Sequence, residues 1–410
     1  MNKILLISVS YPFGKGEQFL KSELDVLSKG NFDIGIYPYS QNGKKRNLPN
    51  NINLLTRPNL LFLFFGFFYS TIKYAKYYYA DLIKTIRIEK FKCFRASRAL
   101  YIINYLIRSS TFLAWFNLCY KKKSDDNLVI YSYWMNSESY AISILKRENP
   151  LLKTVSRVHG GDLYLERNSN FLPFREQIIK SLGKIFPVSD HGKNYLISKY
   201  KYLDKKKIIV SRLGVSQQDR LLHKINDDKV VIASCSSDDP VKRVEKIISA
   251  LGYYSNITNR KVIWLHIGID QHAFFKKYDA TINMYPNLHC IVLGILPNQE
   301  VCSEYQKYQP NIFINLSSTE GVPVSIMEAL SIGIPVLATN VGGTSEIVNN
   351  RVGSIISHHI DNDIVAKEIE RLIEGLEDYS KAAYNQWREL CDQSHNYNQF
   401  MRYLRKICND

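Results

Sequence analysis

The residues best placed to do chemistry lie in one run, residues 313–348, FINLSSTEGVPVSIMEALSIGIPVLATNVGGTSEIV. An apolar strand pattern ends at Leu316, and a polar loop, 317–321, follows it. Pro323 then stands where a helix starts, a first-turn position that proline favours. Gly333 is placed to stop that helix. A helix start leaves its first amides unpaired, here those of Val324 and Ser325, and carries the positive end of the helix dipole. Such an end is a ready site for a phosphate. Glu320 stands just before the helix, and Glu328 lies eight residues later, about two turns in. Carboxylates on either side of a phosphate site suit hydrogen bonding to sugar hydroxyls. Gly342 and Gly343 form a second glycine loop, with Thr344 placed to cap the next helix.

Other candidates carry less. His159 ends an apolar strand and precedes Gly160, Gly161 and Asp162, so it sits at the edge where open sheets take ligands. Gly14-Lys15-Gly16 has neither the spacing of a phosphate-binding P-loop nor that of a dinucleotide glycine motif. It reads as a flexible loop, with Glu17 either an acceptor contact or a carboxylate at a helix start. Ser189 reads as a helix cap, because no Gly-x-Ser-x-Gly elbow surrounds it. Asp125-Asp126 and Asp238-Asp239 read as solvated loop pairs. No His/Cys cluster has zinc spacing, so no metal site is expected. Seven cysteines without a CxxC pair point to a reducing cytosol.

Two runs of alternating strands and helices must position these residues. The first has strands near 4–9, 32–37, 127–133, 153–159 and 184–188, with a helix from about Gln18. The second has strands near 229–234, 261–267, 288–292, 312–316 and 335–339, with helices near 244–251 and 325–330. Continuous apolar strands separated by helices predict α/β architecture with doubly wound parallel sheets. The 410 residues exceed one ordinary core. Charge supports a division near Gly214: residues 1–210 hold 34 Lys and Arg against 15 Asp and Glu, and residues 211–410 hold 20 against 23. The expected domains are 1–212 and 213–388, with 389–410 a terminal helix packing back on the first.

On these residues the chain resembles retaining glycosyltransferase family 4 of polysaccharide and lipopolysaccharide synthesis. That family's GT-B fold is two facing Rossmann-like domains with an interdomain cleft. The matching run extends from Glu320 to Glu346 and includes the Glu-x7-Glu pattern at Glu320 and Glu328. Similar stretches are VSRLGV at 210–215, SCSSDDPVKRV at 234–244, WLHIG at 264–268, RVHGGD at 157–162 and YPFGKGEQF at 11–19. Residues 57–125 carry none of the likeness.

The resemblance implies that Glu320, with the amides of Gly321 and Val322, holds donor-sugar hydroxyls, and that Glu328 binds the nucleotide ribose. Lys242 and Arg243 would neutralise the diphosphate. They would stand in for the Gly-Arg pair common in the family, where this chain has Cys235-Ser236. Gly268 would lie under the base, and Pro323, Val324 and Ser325 would border the diphosphate. His159 would face the sugar from the opposite domain, and Gly14, Gly16, Glu17 and Asp162 would lie on the acceptor side. The implied activity is metal-independent transfer of a sugar from a UDP- or GDP-type nucleotide sugar, with no cofactor. The alternatives are a sugar-nucleotide epimerase of the same fold or a non-catalytic binding protein.

Residues 57–123 hold 13 basic and 2 acidic side chains, and 18 aromatic residues lie between Phe62 and Tyr120. The block 60–69, LLFLFFGFFY, is about half of the roughly 20 residues that a membrane-spanning helix needs. An apolar block followed by lysine-dotted aromatics predicts a half-buried helical hairpin at an anionic membrane surface. It does not resemble a nucleic-acid motif. The competing reading is a core helix pair with a solvated basic face. The expected location is cytoplasmic, peripheral on the inner face of a bacterial plasma membrane, with a glycan or lipid-diphosphate-linked acceptor.

Overall fold

The structure, a computed structural model, describes residues 2–14, 16–56, 59–90, 93, 95–121, 127–221 and 228–409. The chain divides into two compact units: Met1–Ser211 with Tyr397–Asp410, and Arg212–Asn396. Asp125 and Asp126, read above as a solvated pair, lie outside the described residues, as does Lys15.

The first unit holds strands β1 (Asn2–Ser8), β2 (Phe32–Pro38), β3 (Ile52–Leu54), β4 (Leu128–Ser132), β5 (Lys153–Val158) and β6 (Lys184–Pro187). They form one parallel sheet in the order β3-β2-β1-β4-β5-β6. The second unit holds β7 (Lys229–Cys235), β8 (Lys261–Ile267), β9 (Leu288–Val292), β10 (Ile312–Asn315), β11 (Val336–Thr339) and β12 (Gly353–Ile356). Its order is β12-β11-β10-β7-β8-β9, again parallel. The winding is the same in both: each unit's first strand lies between its second and its fourth. The order reverses between β1 and β4, and between β7 and β10. Open α/β sheets take ligands beyond the carboxyl ends of the strands at such reversals. Strands β3 and β12, three and four residues long, were too short to show a periodic pattern in the sequence.

The central strands are apolar on both faces because helices cover both. Leu5 and Ile7 of β1 pack with Tyr37, Ile130 and Val158 on one side. Ile4 and Leu6 pack on the other with Leu20, Leu24 and Ile34. Phe400, Met401 and Leu404 of the last helix, Gln393–Asn409, join that second layer. In the second unit Ile232, Trp264, Phe274 and Leu316 belong to one core cluster.

A buried ion pair crosses the first unit. Arg157 on β5 donates to Glu23 at 2.7 Å, and neither side chain is exposed. Tyr131 on β4 donates to the other Glu23 oxygen at 2.7 Å, and Arg157 also donates to the Ser211 carbonyl at 2.7 Å. The guanidinium lies 4.2 Å from the Phe400 ring centre. One cation therefore ties together β4, β5, the helix Gln18–Leu27, the end of the first run and the last helix.

Among the described residues, the segment 57–123 holds three α-helices, Leu60–Lys73, Ala75–Glu89 and Ala96–Trp115, the last running on into a π-helical turn, Phe116–Tyr120, rather than the expected helical hairpin. The Asn59 side chain caps the first by accepting from Phe62 N–H at 2.9 Å. The segment divides between core and surface. Tyr74, Tyr78, Tyr105, Phe112 and Trp115 are in the core. Leu61, Phe64, Phe65, Phe68 and Ile72 are 49–77% exposed. Among the described residues, no helix is long and apolar enough to cross a membrane.

Arg157→Met should strand Glu23 in the core and cost about 3–5 kcal/mol of stability, whereas Arg157→Met with Glu23→Leu should recover most of it. Chemical denaturation reads both; an unchanged midpoint in the single variant would refute the role of the pair.

Candidate active site

In the second unit, the loops after β7 and β10 meet at the strand-order reversal. Lys242 Nζ donates to Glu320 Oε1 at 2.7 Å. Glu320 is 5% exposed, and the same oxygen accepts from Asn315 Nδ2 at 3.4 Å. The Ser318 amide donates to the Val241 carbonyl at 2.8 Å, which joins the two loops by backbone as well. On the other side, the Gly343 amide donates to the Gly321 carbonyl at 2.7 Å. Gly342 has φ +55°, and a β-carbon there would lie 1.9 Å from the Glu320 carbonyl oxygen. Only glycine permits both that backbone conformation and that approach.

The helix after the loop is Val324–Ser331, with Pro323 as its N-cap rather than its first turn. Val322 and Val324 are buried. The amides of Val324 and Ser325 stand in the first turn, where no intrahelical acceptor exists. Gly333, φ +80°, follows the C-cap Ile332. Thr344 does not cap the next helix: that N-cap is Gly343, and the buried Thr344 hydroxyl has no hydrogen-bond partner among the described residues.

Glu328 is 6% exposed on the helix and accepts from Asn298 Nδ2 at 3.2 Å. Burial pushes its pKa up to about 8, opposed by that hydrogen bond. Arg243 follows Lys242 in the chain, but its side chain goes elsewhere: φ is +52°, and Nη1 donates to the His358 carbonyl at 2.7 Å. Gly268, φ +117°, ties three loops. Its amide donates to Gly294 at 2.8 Å, Ser236 N–H donates to Ile267, and a β-carbon at 268 would lie 2.4 Å from the Ser236 carbonyl. Asp238 pairs with Lys277 and accepts from Tyr278, and Asp239 caps a short turn by accepting from Val241 N–H.

In the first unit, the loops after β1 and β4 meet through Glu17. Its carboxylate accepts from the amides of Val9, Ser10 and Tyr11 at 2.7–2.9 Å and from Trp134 Nε1 at 2.8 Å. Consecutive amides of this kind form an anion nest, here occupied by the chain's own carboxylate. The helix-start reading of Glu17 is therefore corrected: the residue precedes the helix Gln18–Leu27, but its side chain makes no cap bond and turns back to the loop. The loop is also tied rather than free. Gly14 N–H donates to Lys44, and Arg46 donates to the carbonyls of Pro12 and Gly16.

His159 is 8% exposed, with its ring 4.8 Å from Tyr133 and 4.4 Å from Trp134, centre to centre. Its ring nitrogens have no hydrogen-bond partner among the described residues. Burial, helped by the charge of Arg157, lowers its pKa to about 3, so the imidazole is neutral at neutral pH. Asp162 positions it: Oδ1 accepts from His159 N–H and Oδ2 from Met135 N–H, both at 2.6 Å. Burial raises the Asp162 pKa to about 6 against the pull of Arg175 and those amides. Ser189 caps its helix as expected, accepting from Gly192 N–H at 2.9 Å.

The structure thus brings Glu320 together with Lys242, and His159 with Asp162. It does not turn Arg243 toward Glu320 as it does Lys242. Asn298, Asn315, Trp134 and Arg46 escaped the sequence reading. Their only signal was position, at or just beyond the carboxyl end of a strand for Asn315 and Trp134 and in or beside a loop for Asn298 and Arg46, and polar or aromatic residues are common there.

Folding keeps a proton on Glu328 that the unfolded chain releases between its ordinary value of 4.5 and about 8. Its contribution to stability is full below the ordinary value and is lost as pH rises through the folded one. Thermal melts across that window should show wild type losing stability with pH relative to Glu328→Gln; parallel curves would refute the shift.

Residues 216–388 match the family model described as glycosyl transferases group 1. No curated protein sequence matches the chain. Among solved structures, sucrose-phosphate synthase from Thermosynechococcus elongatus is similar over 99% of both chains, at 13% identity and TM-score 0.73. The lipopolysaccharide outer core galactosyltransferase WaaB, in its apo form, is similar over 98% of this chain and 99% of that one, at 14% identity and TM-score 0.67. Anabaena HepE in complex with UDP-glucose is similar over 99% of this chain and 100% of that one, at 13% identity and TM-score 0.61. The sheets have the GT-B fold, and the match to glycosyl transferases group 1 falls on the unit that holds Lys242, Glu320 and Glu328.

Proposed function

We propose that this chain is a retaining, metal-independent glycosyltransferase of family 4. It moves a sugar from a UDP- or GDP-type nucleotide sugar to a lipid-linked glycan acceptor in bacterial surface polysaccharide synthesis. It works on the cytoplasmic face of the plasma membrane. The observation that carries the reading is the 2.7 Å contact of Lys242 with Glu320 beside the start of the helix Val324–Ser331.

Breaking a sugar–phosphate bond leaves a diphosphate with growing negative charge. Lys242 and the amides of Val324 and Ser325 are the groups that meet it. One cation at ~4 Å from a phosphate oxygen is worth about 4 kcal/mol at an effective dielectric of 20. Each ~1.4 kcal/mol off the barrier is tenfold in rate, so a single lysine is a large catalytic element. Once Lys242 turns to the diphosphate, Glu320 is released to accept from sugar hydroxyls. Glu328, protonated near neutral pH, can donate to or accept from a ribose hydroxyl. His159 is catalytic as a neutral hydrogen-bonding imidazole, and Glu320 is its carboxylate counterpart. Anabaena HepE, solved in complex with UDP-glucose and with UDP, supports the nucleotide-sugar donor.

Donor screening comes first: the matching nucleotide sugar should raise the melting temperature, since ligand at 100 times its Kd adds about 2.7 kcal/mol. With that donor, Glu320→Ala and Lys242→Ala should each lower transfer by about two orders of magnitude with the fold intact, the scale of one lost transition-state contact. The wild-type rate should persist in excess EDTA. Near wild-type rates in both variants, or loss on chelation restored by Mg²⁺, would overturn the assignment.

The membrane side of the proposal rests on the helix Leu60–Lys73. Its exposed phenylalanines Phe64, Phe65 and Phe68 lie in a segment with 13 basic against 2 acidic residues. Near an anionic surface each lysine or arginine is worth about 1 kcal/mol, and exposed aromatic rings add insertion. Co-sedimentation should be strong with anionic vesicles, weak with neutral ones and reduced by salt, and Phe64→Ser with Phe65→Ser should weaken it. Equal partitioning to both vesicles, or none, would refute docking.

A further inference from the structure

Strand β10 is apolar at Ile312, Phe313 and Ile314 and then ends on a polar residue, Asn315, which is 8% exposed. A buried side-chain amide needs partners at both its ends. Asn315 Oδ1 accepts from the Ser317 N–H at 3.1 Å, and Nδ2 donates to Glu320 Oε1 at 3.4 Å. The first bond fixes the second. A backbone N–H can only donate, so the amide oxygen must face Ser317 and the amide nitrogen must face the carboxylate.

That carboxylate oxygen is shared. Lys242 Nζ donates to the same Oε1 at 2.7 Å, and these two are the donors to the Glu320 side chain among the described residues. They differ in kind. Lys242 is a cation on a long, flexible chain, carried by the short turn Pro240–Lys242 after β7. Asn315 is neutral, has a short side chain and stands on a strand paired on both sides, to β7 and to β11. When the cation moves to the charge that develops on a diphosphate, it leaves a buried carboxylate behind. Such a group is costly unless another donor holds it.

We infer that Asn315 is a positioning residue for sugar transfer: it keeps hold of Glu320 Oε1 when Lys242 leaves for the diphosphate, so that Oε2 is presented to the donor-sugar hydroxyls. This role rests on Lys242 and Glu320 forming the donor site, and it adds a third residue there. The loop itself has other supports. Thr339 Oγ1 donates to the Ser317 carbonyl at 2.5 Å, and the Ser318 amide donates to Val241 at 2.8 Å. Loss of the Asn315 amide therefore disturbs the carboxylate more than the backbone that carries it.

A double-variant cycle on the full chain, read by chemical denaturation, tests the shared oxygen without any substrate. Lys242→Ala and Asn315→Leu each leave Glu320 one donor, and the two together leave none. The unfolding constant of the double variant should exceed the product of the single effects by about tenfold, and the cost at the Ser317 amide cancels in the comparison. Thr339→Val with Lys242→Ala disturbs the same Ser317 peptide without touching Glu320, and should be additive. Transfer then tests the positioning. UDP or GDP, whichever raises the melting temperature of the wild type, should bind Asn315→Leu within about twofold of the wild type, while kcat with the matching nucleotide sugar should fall about tenfold. Additivity in the first cycle, equal coupling in the Thr339 pair, an equal loss of nucleotide affinity, or a wild-type kcat in Asn315→Leu would each overturn the role of Asn315. A coupled cycle with neither nucleotide bound by the wild type would instead overturn the donor site and, with it, the positioning role, so the two failures are told apart.

Discussion

A β-carbon at residue 342 would sit 1.9 Å from the carbonyl oxygen of Glu320, so the chain has none there. That close approach holds the β10 loop from one side, while Ser318 bonded to Val241 holds it from the other. Glu320 and Lys242 meet because two backbones fix the loops that carry them. Gly268 acts in the same way at the end of the neighbouring strand β8, with its α-carbon against the Ser236 carbonyl. The chemistry of the second unit thus depends on glycine positions at the carboxyl edge of the sheet, where backbone packs on backbone and leaves the carboxylates little freedom. Preorganised groups of this kind lose no energy reorganising when charge develops.

The first unit solves the same problem with side chains. Its loop at the strand-order reversal wraps around a carboxylate, Glu17, bonded to three successive amides and to Trp134. Trp134 in turn flanks His159, and Asp162 holds the His159 amide. Behind them Arg157 and Glu23 lock the strands together out of water. The imidazole is kept neutral by the burial that also fixes its place.

The basic aromatic segment shows how one composition serves two solvents. Tyr74, Tyr78, Phe112 and Trp115 face inward and fill the core. Phe64, Phe65 and Phe68 face outward from the helix Leu60–Lys73. Periodicity could have separated the faces of the later helices, but this helix is apolar nearly all round and has no polar face to read.

Much of the architecture was legible in the sequence. Alternating apolar strands and helices determined two parallel sheets, because a strand covered on both faces must be apolar throughout. Pro323, Gly333 and Gly342-Gly343 marked the loop–helix run, since proline and glycine restrict or widen backbone choice at the residue itself. The direction of side chains was left to the tertiary structure. Lys242 and Arg243 are neighbours of the same charge, yet one meets Glu320 and the other a carbonyl at His358. Glu17 read as either an acceptor contact or a helix-start carboxylate, and its side chain is the centre of a nest of amides. Arg175 had no motif at all, and only packing buried it with its guanidinium on the Asp162 carbonyl. Local sequence governs dihedral angles and the period of burial; which polar atoms meet depends on segments tens of residues apart, and only their assembly in space decides it.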